Sequence, residues 1–231
     1  MSTRIAAERY RKLHQRLSDP ILTLLTLMLS FLLFVIGPMQ AAGILSGKQF
    51  GYFFALVLIP AAFLYSRNLL VAIPIAISIA LVVAAALLEV SSRIDVYADS
   101  AAWLIAGLAL SVVVARAVFG AGRVTYHRIV GAVLLYLIMG LVFVALYGFV
   151  ALAESNAFTN LPALQGDFAI AGNLIYFSFV TLTTTGYGDI APLHPYARSL
   201  ANVEAIIGQI YPATLLARLV TLEIGNKGRS S

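Results

Sequence analysis

Cysteine is absent, tryptophan occurs once, and charged residues fill only 11% of the 231 positions. Without cysteine there are no disulfides, no thiol chemistry and no thiolate metal sites, and the redox compartment stays open. The shortage of charge stands beside a hydrophobic share of 61%, far from the composition of an ordinary soluble domain. The bilayer is therefore read as this chain's solvent, and membrane lipid as its surroundings. The formal net charge is +5, but the basic residues sit at the ends of apolar runs rather than in a patch with interleaved aromatics. Nucleic acid is not an expected partner. His14, His127 and His194 lie far apart, and no nucleophile, phosphate loop or metal motif stands out, so the chain is not expected to be an enzyme. There is no internal repeat and no low-complexity tract.

What is present is a series of apolar runs, each close to the roughly 20 residues that a membrane-spanning helix needs. They lie near Ile21–Ile36, Phe50–Tyr65, Leu69–Leu88, Ala101–Phe119, Ile129–Leu152 and Tyr196–Leu222, separated by polar, Gly or Pro-containing sequence. The expectation is six spans. Ser66-Arg67-Asn68 is the weakest division, yet merging its neighbours would bury an arginine in an overlong helix, so a tight helical hairpin is expected there. The first run is read as a true span rather than a cleaved leader, although Gln40-Ala41-Ala42-Gly43 offers small residues.

Alternating the sides of six spans sorts the lysines and arginines. Arg4, Arg9, Arg11, Lys12, Arg16, Arg67, Arg116, Arg123, Arg128, Arg218, Lys227 and Arg229 fall on one side, and only Lys48, Arg93 and Arg198 on the other. The excess marks the cytoplasmic side. A cell-membrane protein with both termini cytoplasmic follows, with the long segment between spans five and six facing outward. Three units are expected: a basic segment at 1–19, a four-span unit at 20–124, and a unit of two spans around a re-entrant segment at 125–231.

That last unit holds Thr181-Leu182-Thr183-Thr184-Thr185-Gly186-Tyr187-Gly188-Asp189. The string resembles the potassium-channel signature Thr-x-x-Thr-x-Gly-Tyr-Gly-Asp and matches it at every specified position. The resemblance covers about 100 residues, from Thr125 to the C-terminus. It implies an all-α membrane protein with six transmembrane helices, a short re-entrant pore helix near Ala171–Thr183 and a selectivity-filter loop. Thr184, Thr185, Gly186, Tyr187 and Gly188 would form the filter, with K+ bound at the first four. The permeant ion is the only small partner implied, and no cofactor is expected.

Elementary chemistry agrees with the resemblance. A potassium ion entering a narrow pore must shed its water, and rings of backbone carbonyls can replace it. Inward carbonyls at successive residues need alternating backbone conformations, some at φ > 0, which Gly186 and Gly188 adopt easily. One chain supplies one filter strand, so three identical partners are expected to close a homotetrameric ring. Tyr176 and Phe177 stand where the family often has two tryptophans, and Val180 where some members carry a glutamate behind the filter. Asp189 then needs another partner, and the Tyr176 hydroxyl is the candidate.

The last span adds three features. Glu204 is the only acid within an apolar run, and an intramembrane carboxylate is costly unless paired or functional. It is read as a brace behind the filter rather than a direct ion ligand. Gly208 matches the family's inner-helix glycine, and Pro212 withholds the backbone bond to its carbonyl, so a bend is expected. A gating hinge and a static bend remain open. His194, five residues past Asp189, would ring the outer mouth in a tetramer, either as a titrating group or as a plain loop residue.

The first four spans resemble a voltage-sensing unit in number and position only. Arg116 is the sole basic residue within the fourth, so a lipid-facing scaffold is the preferred reading. The expected function is passive, potassium-selective conduction without steep voltage gating. A weakly selective cation channel is the alternative within the class. A potassium transporter subunit is the alternative outside it, although repeated halves and helices broken at the midplane are not seen.

Overall fold

The computed structural model describes residues 21–65, 69–87, 92–119, 126–154, 156–161 and 169–227. Within them the fold is all-α, without strands apart from an isolated bridge between Phe158 and Pro192. We number the helices α1 (Ile21–Ala41), α2 (Gly47–Tyr65), α3 (Leu69–Leu87), α4 (Ser92–Phe119), α5 (Tyr126–Ala153), α6 (Ala169–Leu182) and α7 (Pro195–Lys227). Among the described residues, four segments are long and apolar enough to cross a membrane: Ile21–Ala41, Tyr97–Arg116, Ile129–Ala153 and Pro195–Arg218. Shorter apolar stretches run over Lys48–Ala62, Leu69–Ala84 and Ile170–Leu182. The basic segment 1–19 and the hairpin expected at residues 66–68 lie outside the described residues.

Local chemistry explains where these helices begin and how they keep their polar groups satisfied. Ser46 and Gln49 form a capping box for α2: the Gln49 amide donates to Ser46 Oγ at 3.3 Å and the Ser46 amide to Gln49 Oε1 at 2.9 Å. Thr26 donates to the Leu22 carbonyl at 2.8 Å and Ser78 to the Pro74 carbonyl at 2.9 Å. Each hydroxyl is thereby satisfied within its own helix, as lipid requires. α1 contains a π-helical stretch at Leu32–Ile36 and continues five residues beyond it, through Gly37–Ala41. The helix therefore runs past the expected end near Ile36, with Pro38 inside it directly after the π-helical stretch.

Glycines set how closely the helices approach. A Cβ at Gly107 of α4 would stand 2.7 Å from Val142 Cγ2, and one at Gly148 of α5 would stand 2.4 Å from Ser100 Oγ. Small residues permit this contact in lipid, where apolar area alone does not drive helices together. At the other end of the fold, a Cβ at Gly172 of α6 would meet the Gly37 carbonyl at 2.5 Å. α1 thus packs directly on α6, and Phe34 meets Phe179 edge-on with centroids 5.2 Å apart. α5 touches α4, α6 and α7, and Tyr147 on its inward face is fully buried against Phe158 and Phe177.

Candidate functional site

The threonine-rich end of α6 and the loop after it form one hydrogen-bonded unit. The helix closes with the Thr184 amide donating to the Thr181 carbonyl at 2.9 Å and the Thr185 amide to the Val180 carbonyl at 2.8 Å. This is the Schellman pattern, with Thr184 in its left-handed position at φ 57°. Gly186 also donates to the Val180 carbonyl, at 3.1 Å. Position 180 thus serves the loop through its backbone, where some potassium channels use a side chain.

Beyond the helix, φ alternates in sign. Thr184, Gly186 and Gly188 lie at 57°, 56° and 80°, whereas Thr185 and Tyr187 are not at positive φ. For glycine this costs little. For Thr184, a β-branched residue, it stores strain of about 1–3 kcal/mol. Thr183 Oγ1 and Thr185 Oγ1 are 2.9 Å apart, and Thr183 also donates to the Phe179 carbonyl at 2.7 Å. Residues 183–189 are all exposed in the single chain.

The Tyr187 ring leaves the loop and stacks on Tyr176, centroids 6.3 Å apart and planes within 4°. Tyr176 in turn hydrogen-bonds the Asp189 side chain, and its hydroxyl is held above the usual phenol range by desolvation first, then by that bond and by the Asp189 charge. The loop's outer side is tied to a segment that sequence reasoning passed over. Asn160, itself at φ 53°, donates from Nδ2 to the Asp189 carbonyl at 2.7 Å. Thr159 pairs with Ala191, accepting from its amide at 2.9 Å, and the Leu193 amide donates to the Ala157 carbonyl at 2.8 Å. His194 turns inward on its own loop: its Nδ1 accepts from the Tyr196 amide at 3.3 Å and its ring sits 5.1 Å from that of Tyr196.

Glu204 is fully buried between three helices. Its Oε2 accepts from the Tyr147 hydroxyl of α5 at 2.6 Å, and Ser178 Oγ of α6 lies 2.5 Å from its Oε1. Ser178 also donates to the Gly140 carbonyl at 2.9 Å. The carboxyl group therefore joins α5, α6 and α7 behind the loop. Neither Tyr147 nor Ser178 was singled out from sequence, where both read as ordinary residues of apolar runs.

One turn further, α7 runs beneath α6. Gly208 is buried, and a Cβ there would stand 1.9 Å from the Leu182 carbonyl oxygen, so the helices touch backbone to backbone at the foot of the loop. Gln209 donates from Nε2 to Thr184 Oγ1 at 2.6 Å. Pro212 is exposed inside α7, which is helical on both sides of it. Tyr211 donates to the Ala132 carbonyl at 2.8 Å and stacks on Tyr136, whose hydroxyl reaches the Leu182 carbonyl at 3.2 Å. At the far end, Arg218 donates to the Phe119 carbonyl at the end of α4 and lies over the Phe119 ring. Arg116 is exposed in the last turn of α4.

Residues 131–223, which begin within α5 and end within α7, match the family model described as "Ion channel". The match supports an ion channel family. Protein LctB of Bacillus caldotenax is 33% identical over 87 residues, which cover 37% of this chain and 64% of that protein. The chain thus spans less than two thirds of the length of this curated relative. No solved structure matches. The matched residues lie within α5, α6, α7 and the segments between them.

Proposed function

We propose that the chain is one subunit of a homotetrameric potassium channel that conducts K+ passively across the cell membrane. The observation that carries the reading is the alternation of φ along Thr184–Gly188, the backbone pattern that stacked inward carbonyls require. The K+ ligands are the carbonyls of Thr184, Thr185, Gly186 and Tyr187, with the Thr184 hydroxyl innermost. α6 is the re-entrant pore helix, and its C-terminal partial negative charge, about half an elementary charge, favours a cation on the pore axis. α5 and α7 are the outer and inner helices of this pore unit, residues 125–231.

Tetramer formation is supported by the uneven cover of the helices. Only 17% of an 18-residue apolar stretch within Pro195–Arg218 is buried in one chain, against 61% of that within Ile129–Ala153. The loop 183–189 is likewise exposed, and neighbouring chains supply the missing cover around a common axis. α1 to α4 complete six spans with both termini cytoplasmic. They act as a scaffold, with α1 buttressing the pore helix through Gly37 and Gly172. Tyr176, Asp189 and Glu204 hold the filter in shape, while Gly208 and Pro212 shape the inner helix.

Reconstitution into liposomes with a potassium gradient, followed by a flux assay, tests this function. Potassium-driven flux that sodium does not support is the expected result. Equal flux of the two ions would favour the weakly selective reading, and no flux of either would remove the channel reading altogether.

A further inference from the structure

Beneath the filter loop the absence of a side chain at Gly208 lets α7 approach the Leu182 carbonyl. That closeness carries the next residue, Gln209, to Thr184: its Nε2 donates to Oγ1 at 2.6 Å, between positions 25 apart in the chain. The bond falls on a residue whose conformation helix closure explains but whose type it does not. The left-handed position at the end of α6 suits glycine best, yet a β-branched threonine occupies it at φ 57°. What threonine supplies and glycine lacks is the hydroxyl, and that hydroxyl is the group Gln209 holds.

We propose that Gln209 is a positioning residue of the innermost ion site, fixing the Thr184 hydroxyl as a cation ligand. The inference rests on the potassium-channel reading above. A hydroxyl has one hydrogen and two lone pairs. The amide N–H engages one lone pair and stops the rotor, the second lone pair is left for a dehydrated monovalent cation, and the hydrogen is turned away from both. Four copies place a ring of amides directly under a ring of hydroxyls, at the point where the ion exchanges water for protein oxygen. Gln209 is exposed in the single chain, so shortening it opens no core cavity.

Barium, with nearly the radius of K+ and twice its charge, is the probe for this site. It is applied from the cytoplasmic side during single-channel recording of the full-length protein. Gln209→Leu is expected to weaken barium block about tenfold, equivalent to roughly 1.4 kcal/mol, with the tetramer assembled and K+ current retained. In a Thr184→Ala background the same substitution is expected to change block less than about twofold, because no hydroxyl remains to be positioned. Unchanged block in Gln209→Leu, or an equal loss in both backgrounds, would overturn the proposal while the wild type still selects K+. A wild type that passes Na+ and K+ equally would instead overturn the channel reading, and this inference with it.

Discussion

Tyr147 donates a 2.6 Å hydrogen bond to Glu204 across 57 positions of sequence, at a point where both side chains are fully buried. Ser178 completes the arrangement from α6, so one carboxyl group fixes α5, α6 and α7 to one another. The cost of a buried acid is offset by these partners, and removing any of them leaves a polar atom without one.

Replacing Glu204 by Gln should therefore be tolerated. The amide offers an oxygen to Tyr147 and an N–H to Ser178 Oγ, whose single hydrogen stays on the Gly140 carbonyl. Glu204→Ala strands the Tyr147 hydroxyl and opens a cavity, at a cost of about 2–5 kcal/mol. Thermal unfolding of the detergent-solubilised protein should show a small shift for Gln and a large loss for Ala. An equally large loss in both variants would show that the network depends on the charge rather than on its hydrogen bonds.

Gly208→Ala separates packing from hinging. The added methyl would meet the Leu182 carbonyl at 1.9 Å, and two backbones must part to admit it. The expected result is disturbed ion selection together with altered opening, since Leu182 leads directly into the filter. A variant with altered opening but intact K+ selection would favour a hinge with no packing role.

Membrane voltage alone should not gate the channel steeply. One charge crossing the whole field gains about 2.3 kcal/mol per 100 mV, and sensors move three or four per subunit. Arg116 is the candidate in α4, and four copies crossing completely would supply at most roughly 9 kcal/mol per 100 mV. Its place in the last turn of the helix makes the real contribution smaller. Open probability should vary shallowly with voltage and change little in Arg116→Gln; a steep curve that flattens in this variant would give α4 a sensing role.

The segment 181–189 could be singled out because its information is local. Thr184–Gly188 needs particular residue types at adjacent positions, and a nine-residue string records them. The apolar runs were legible for a similar reason, since lipid demands length and composition. The supports were not. Tyr147, Ser178, Asn160 and Gln209 meet the site across 57, 26, 29 and 25 positions, and nothing near them in sequence reports the crossing that brings them there. Glu204 could be suspected because an acid in an apolar run is out of place, but its partners are ordinary tyrosine and serine. The contact of α1 with α6 was equally hidden: Gly37 and Gly172 read as unremarkable glycines until two helices meet at them.

The central claim is that the chain forms a pore that selects potassium through the backbone of Thr184–Tyr187. The reversal potential with K+ on one side of a bilayer and Na+ on the other tests it most directly. Wild-type protein is expected to reverse far toward the potassium equilibrium potential. Gly186→Ala, strained at φ 56°, is expected to lose that selective current while the tetramer stays assembled. A wild-type reversal potential near zero, or unchanged selectivity in Gly186→Ala, would contradict the account.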